Sequence, residues 1–164
     1  MQIREVREQD EEKDFAQIWP IFSEVVKAGD TYAYERDTTN QQALDIWLRN
    51  PRKTYVAEDG GVIYGTYFIK TNQAGPGKHV CNCGYMVASK ARGRGLATQM
   101  CEHSQSVAKA LGYAAMQFNF VAASNARAIT LWLKLGYKEV GRLPGSFNHP
   151  EQGCVDALVM VKQL

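Results

Sequence analysis

The sequence of 164 residues lacks any run of eighteen apolar residues, and its first fourteen residues are charged rather than apolar. The first absence excludes a transmembrane helix of ordinary length, and the second argues against a secretory signal peptide. We therefore expect a cytoplasmic protein that makes no contact with a membrane.

The chain also lacks a strong excess of one charge. Its 19 Lys and Arg residues face 17 Asp and Glu residues, and the basic residues are scattered among the acidic ones rather than collected in blocks. This balance argues against nucleic-acid binding. The length and the 45% share of hydrophobic residues are typical of one globular domain with its own core, so we predict a single domain over residues 1–164.

Cysteine is scarce, with thiols only at positions 81, 83, 101 and 154. A disulfide framework is not expected in a chain large enough to build its own core. His79, Cys81 and Cys83 alternate and would share one face of a strand, but a fourth ligand at zinc-finger spacing is missing. We therefore predict reduced cysteines that pack as small apolar residues, and no metal site.

Apolar periodicity and turn residues predict an α+β fold. The predicted strands are 2–6, 53–58, 62–70, 79–88, 115–121, 138–143 and 154–162. The predicted helices run from the acidic segment 10–14 to Ala28, from a cap at Thr38 or Thr39 to Pro51, from Leu96 to Gly112, and from a cap at Ser124 or Asn125 to Gly136. Pro20 should kink or divide the first of these helices.

The most informative segment is Arg92-Gly93-Arg94-Gly95-Leu96-Ala97, which follows the end of a strand and opens a helix. Glycines at 93 and 95 allow the backbone to turn sharply and to approach a ligand closely. The free N–H groups of the first helical turn and the positive end of the helix dipole favour an anion there. The segment therefore predicts a phosphate-binding loop.

This loop matches neither the G-x-G-x-x-G fingerprint of dinucleotide-binding folds nor the nucleotide P-loop. A second motif follows about thirty residues later and comprises Asn125, Ala128, Leu131, Trp132, Leu135, Gly136 and Tyr137. With Val87 five residues before Arg92, the two motifs resemble the acyl-CoA-binding core of the GNAT superfamily of N-acyltransferases. The resemblance implies a GNAT-like mixed, mostly antiparallel sheet of about six to seven strands with helices on both faces.

The resemblance also implies how acetyl-CoA, the expected cosubstrate, would be held. Main-chain groups around Met86, Val87 and Ala88 would pair with the pantetheine arm and the thioester carbonyl, and Asn125 would bind the cofactor or an ordered water. The loop that would hold the pyrophosphate comprises Arg92, Gly93, Arg94, Gly95, Leu96, Ala97 and Thr98. One position departs from the family pattern, because Trp132 stands where a tyrosine often protonates the leaving thiolate, and an indole cannot do so.

The expected reaction is acetyl transfer to the amine of a small, amino-acid-like molecule, by direct attack in a ternary complex. The general outline also resembles the branch that acetylates compounds such as phosphinothricin or azetidine carboxylate. Tyr85 and Tyr137 are candidates for the acid, alongside Ser124 or a water. Glu35 is a candidate base, with Glu24 and His79 as alternatives.

The acceptor is expected between segments 29–35 and 145–149, where Tyr32, Tyr34 and Asn119 are the candidate contacts. Three other functions stay open at this stage: a peptide or protein N-acetyltransferase, a non-catalytic acyl-CoA sensor, and a structural interaction module. A homodimer through the late strands is a further expectation.

Overall fold

The computed structural model describes residues 1–164 and contains seven strands. The strands are β1 (Gln2–Glu5), β2 (Lys53–Asp59), β3 (Val62–Thr71), β4 (Val80–Val87), β5 (Ala115–Ala122), β6 (Lys138–His149) and β7 (Gly153–Gln163). The helices are α1 (Glu11–Ala28), α2 (Asn40–Leu44, continued by a π-turn over Asp45–Arg49), α3 (Leu96–Ala110) and α4 (Ala126–Lys134). Short 3₁₀ turns lie at Glu8–Asp10, Gly75–Gly77 and Ser89–Ala91.

All strands belong to one sheet with the order β1-β2-β3-β4-β5-β7-β6. Every neighbouring pair is antiparallel except β4 and β5, which are parallel. These two strands pair only at Val80 with Ala115 and at Cys81 with Met116, and then they diverge. The predicted mixed, mostly antiparallel sheet is therefore confirmed, and its one irregular junction lies in the middle.

Helices cover both faces of the sheet, as predicted. On one face α1 and α2 pack through Phe22 and Trp47 against Phe68 of β3. On the other face α3 and α4 pack through Met100 and Trp132 against β4, β5 and β7. Each helix buries an apolar stripe on the sheet, and this burial holds the layers together.

Pro20 does not divide the first helix, and the end predicted for the sixth strand is wrong. Helix α1 runs without interruption over 18 residues through Pro20, which is exposed, while its neighbours Ile18 and Ile21 anchor the opposite side in the core. Strand β6 extends to His149 instead of ending at Leu143, because a bulge between Leu143 and Phe147 lets it resume pairing with β7. Segment 145–149 is thus part of a strand.

Cys81, Cys83 and Cys101 are buried free thiols, as predicted, while Cys154 is exposed. No helix in the structure combines the length and the apolar character that crossing a membrane requires.

Candidate functional site

The divergence of β4 and β5 opens a cleft of about 980 Å³ between them. Its walls are β4 and the start of α3 on one side, and β5 with α4 on the other, and residues 30–34 after α1 also line it. At the closed end Asn82 donates from Nδ2 to the carbonyl of Gln117 at 2.8 Å. This side-chain contact continues the link between the strands just beyond their last backbone pair.

Main-chain groups of β4 point into the cleft at alternate residues. The N–H of Ala88 donates to the carbonyl of Tyr64 on β3 at 2.9 Å. The main-chain N–H and C=O groups of the even-numbered residues of this segment therefore form their hydrogen bonds with β3. The N–H of Tyr85 instead donates to the hydroxyl of Tyr32 at 2.7 Å, and the same hydroxyl donates to the carbonyl of Tyr85 at 2.8 Å. Because the pattern alternates, Tyr85 and Val87 face the cleft with both main-chain groups, whereas Met86 and Ala88 do not.

The glycine loop lies at the open end of the cleft. Gly93 and Gly95 adopt positive φ angles of 79° and 73°, and a Cβ added at either would meet nothing within 4 Å. Gly95 caps α3 and has no side chain to accept hydrogen bonds from the first turn. The N–H of Gln99 donates to the carbonyl of Gly95 at 3.1 Å, so the intrahelical hydrogen bonds begin only at Gln99. The first-turn N–H groups of Leu96, Ala97 and Thr98 are thus left for a ligand.

Charged and amide groups surround this loop. Arg92 and Arg127 line the cleft, and Arg92 also lies 3.7 Å from Glu24 of α1. Arg94 is exposed outside the cleft wall. Asn125 caps α4 by accepting from Ala128 N–H at 3.3 Å, which leaves its amide NH₂ free on the cleft side. The loop, the helix N-terminus and two guanidinium groups together suit a polyanion.

Two stacked tyrosines from the segment after α1 line the cleft on the α1 side. Tyr32 and Tyr34 stack with ring centroids 5.5 Å apart, and Tyr32 also packs edge-on against Trp47. Burial raises the pKa of Tyr34 to about 12 and raises the pKa of Tyr32 further, so both phenols stay protonated near neutral pH. Gly84 permits this arrangement, since a Cβ there would lie 2.6 Å from Phe68 Cε1 and 3.2 Å from the Tyr32 hydroxyl.

The candidate acids are placed unevenly. Tyr85 lines the cleft with its ring, but its hydroxyl lies 2.7 Å from Ser104 Oγ on α3, and burial raises its pKa. Tyr137 lies outside the cleft wall, where its hydroxyl contacts Met116 Sδ at 2.8 Å and burial again raises its pKa. Ser124 Oγ is buried without a partner, next to Asn125. The raised pKa values of Tyr85 and Tyr137 make both hydroxyls weak proton donors.

Among the candidate bases, Glu35 is exposed outside the cleft and His79 is exposed near the start of β4. Only Glu24 lines the cleft, and it does so at the glycine-loop end beside Arg92. Trp132 lines the cleft and packs on Tyr85 at 5.3 Å. Segment 145–149 does not reach the cleft, because it continues β6 at the far edge of the sheet.

Asn119 lines the cleft on the β5 side, as expected, and it is joined by a residue that sequence reasoning missed. Lys70, the penultimate residue of β3, also lines the cleft and places Nζ 5.3 Å from the centroid of the Phe68 ring. A single lysine at a strand end carries no signal in the sequence, because such residues are common on protein surfaces.

Comparison with known proteins identifies a family model and several relatives. The model of the Acetyltransferase (GNAT) family matches residues 13–137. A GCN5-related N-acetyltransferase from Kribbella flavida is 38% identical, with a TM-score of 0.91 over 99% of this chain and 97% of that chain. A GNAT superfamily phosphinothricin acetyltransferase from Sinorhizobium meliloti, solved in complex with AcCoA, is 18% identical and shares the fold, with a TM-score of 0.85 over 99% and 88% of the two chains.

A curated relative, N-acetyltransferase aca1 of Schizosaccharomyces pombe, is 31% identical over 103 residues, which are 59% of this chain. The match spans 47% of that protein, so the chain covers about half the length of this relative.

Proposed function

The chain belongs to the acetyltransferase (GNAT) family, and from this membership we propose that it transfers an acetyl group from acetyl-CoA to a primary or secondary amine of a small, amino-acid-like molecule. The observation that carries the proposal is the edge of β4, where main-chain groups of Tyr85 and Val87 face an open cleft beside a glycine loop. An edge of this kind recognises an extended amide-containing arm in the way that a neighbouring strand would.

The residues present fit acetyl-CoA. Gly93 and Gly95 form a cradle that a side chain would fill, and the free N–H groups that follow them would bind the pyrophosphate together with Arg92. The main chain of Val87 would pair with the pantetheine arm, and Asn125 would donate from its free amide. Bound acetyl-CoA would supply an acyl carbon open to attack by an amine and a thiolate as leaving group.

The hydroxyl oxygen of Tyr32 shows that the N–H of Tyr85 can bind an oxygen inside the cleft, at 2.7 Å. We assign this N–H to the thioester carbonyl, because it lies deeper along β4 than Val87 when counted from the glycine loop. A main-chain donor fixed by the sheet stabilises negative charge on that oxygen without reorganising. Tyr32 would have to release Tyr85 when the carbonyl arrives.

Proton transfer needs little help from side chains in this scheme. A thiol has a reference pKa of about 8.5, so a thiolate leaves near neutral pH without the acid that Trp132 does not provide. The amine must lose a proton before it attacks. Because Glu35 lies outside the cleft and Glu24 is engaged by Arg92, water in the open cleft is the proposed proton acceptor.

The shape of the acceptor side favours a small molecule over a peptide. The stacked rings of Tyr32 and Tyr34 line the acceptor side and narrow it, whereas a peptide needs a continuous groove. The direct attack in a ternary complex is proposed for the same reason, since the cleft reaches both the β4 edge and the acceptor side.

The test is thiol release from acetyl-CoA across amino acids, amino-acid analogues, polyamines and short peptides. We expect release that depends on the amine and disappears in Gly95→Trp, with circular dichroism to show that this variant is folded. Acetyl-CoA binding without release from any amine would instead support a sensor. Release with peptides alone would favour the peptide acceptor, and an absence of acetyl-CoA binding would favour an interaction module.

A further inference from the structure

Three polar residues line the cleft near the point where β4 and β5 begin to diverge, away from the groups that would hold acetyl-CoA. Lys70 of β3 and Asn82 of β4 are paired in register, and Asn119 lies across the divergence on β5. All three line the cleft. We call this cluster of Lys70, Asn82 and Asn119 the amide-lysine cluster.

The ammonium group of Lys70 carries an uncompensated positive charge. It forms no salt bridge and no hydrogen bond within the protein, and its nearest described partner is the face of the Phe68 ring. The acidic residues of the cleft wall are Glu24, which Arg92 engages, and Asp30 in the segment after α1. Lys70 is exposed, so solvent screens its charge, but no acidic side chain of the protein pairs with it and competes with an incoming anion.

Each of the two amides of the cluster keeps one free N–H donor. Asn82 is 8% exposed and donates one N–H to Gln117 O at 2.8 Å. Asn119 donates one N–H to Asn72 Oδ1 at 2.7 Å, and its own Oδ1 is occupied by Gln117 Nε2 at 2.9 Å. Because an amide nitrogen carries two N–H groups, each amide keeps one donor in reserve. Lys70 adds three more donors and no acceptor.

A site with a positive charge and several free N–H donors suits a carboxylate, which is negative and only accepts hydrogen bonds. Asn82 lies three residues before Tyr85 on β4, or about 10 Å along the strand. A lysine side chain and a small amino acid together span that distance. An acceptor whose carboxylate lies on the cluster would therefore direct its amine toward the place assigned to the thioester.

We propose that the amide-lysine cluster binds the carboxylate of the acceptor, so that the substrate class is amino carboxylic acids rather than simple amines or amino-acid amides. This inference rests on the proposed function. It adds Lys70 as a residue that determines specificity and assigns Asn82 and Asn119 to the same ligand group.

The experiment compares the protein amino acids with their amides, which keep the amine and lose the negative charge. Wild type, Lys70→Gln and Lys109→Gln are assayed, since Lys109 is an exposed lysine on α3 outside the cleft. Because Lys70 is exposed, solvent screens its pairing with a carboxylate, so we expect Lys70→Gln to lower kcat/KM for the acids about two- to fivefold. The KM for acetyl-CoA and the rates with amides should not change.

Lys109→Gln should match wild type with both panels, and Lys70→Arg should restore most of the activity with acids. The proposal is overturned if wild type uses acids and amides equally well, or if Lys70→Gln slows both alike. Thermal melts show whether Lys70→Gln is folded, and Lys70→Arg provides the second variant if it is not.

If no amine is acetylated at all, the proposed function fails. A binding experiment still tests whether the amide-lysine cluster binds a carboxylate. Ligand-observed NMR with the same amino acids, in the presence of coenzyme A, measures carboxylate binding without turnover. Binding by wild type that is lost in Lys70→Gln supports the cluster as a carboxylate site. Equal binding by both proteins, or none by either, overturns it.

Discussion

Two glycines at opposite ends of α3 allow the effect of a substitution on folding stability to be separated from its effect on ligand binding. Gly95 precedes the helix with φ 73°, and Gly112 follows it with φ 86°. A Cβ added at either position would meet nothing within 4 Å. Only Gly95 lines the cleft. The substitutions Gly95→Ala and Gly112→Ala therefore share one backbone penalty and differ in their surroundings.

The shared penalty follows from the left-handed backbone conformation. A side chain in this conformation costs about 1–2 kcal/mol. For a domain of this size, each kcal/mol lowers the melting temperature by about 2–4 °C. We therefore expect both variants to melt about 2–8 °C below wild type and to remain folded at room temperature.

The difference follows from the N–H groups beside Gly95. A methyl group at this position would stand between the first turn of α3 and an approaching pyrophosphate. Losing one hydrogen bond to a charged group costs about 1.5–3 kcal/mol, so acetyl-CoA should bind Gly95→Ala about 10- to 100-fold more weakly. Gly112→Ala should bind with the affinity of wild type.

Isothermal titration with acetyl-CoA gives the affinities, and thermal melts give the stabilities. Equal affinity in Gly95→Ala and wild type would refute the placement of the pyrophosphate at this loop. The reasoning also fails if Gly112→Ala weakens binding as much as Gly95→Ala does, because the effect would then come from the helix as a whole.

Three further predictions concern other parts of the fold. Tyr32→Phe removes the hydroxyl that occupies the main chain of Tyr85, so acetyl-CoA should bind several-fold more tightly by calorimetry; weaker binding would mean that the hydroxyl supports the cleft instead. Gly84→Ala places a Cβ 2.6 Å from Phe68 Cε1, and this overpacking should cost about 1–3 kcal/mol in urea denaturation, whereas an unchanged midpoint would show that the strand yields freely. Burial lowers the pKa of His103 below 6.5, so its contribution to stability is present above pH 6.5 and is lost as the pH falls from there toward the folded pKa. His103→Gln should therefore flatten the pH dependence of stability below about pH 6.5, and an unchanged slope would contradict this account.

The elements and the glycine loop could be predicted because their causes are local. Strand alternation, the helical spacing after Leu96 and the caps at Thr39 and Asn125 depend on residues a few positions apart. Gly95 requires a left-handed backbone at the turn into a helix, and this requirement is visible in the sequence itself. The family motifs belong to the same local class, since each lies within one loop and one helix.

The direction of a side chain could not be predicted in the same way. Residue type makes Tyr85 and Tyr137 candidate acids, but their hydroxyls turn toward α3 and the buried sulfur of Met116. Its place in a polar segment makes Glu35 a candidate base, but it lies outside the cleft. Side-chain direction depends on which neighbours supply partners, and those neighbours come from distant parts of the chain.

The sequence by itself determined the order of elements, the glycine loop before α3 and the family, because backbone conformation and apolar periodicity are properties of short segments. Only the tertiary structure decided that β4 and β5 separate after Cys81 and Met116, and that Tyr85 rather than Met86 presents its main chain to the cleft. It also decided that Lys70 lines the same cleft as Asn82 and Asn119. The physical reason is that strand pairing and register join residues far apart in the chain, and the sequence of one segment does not specify its pairing partner.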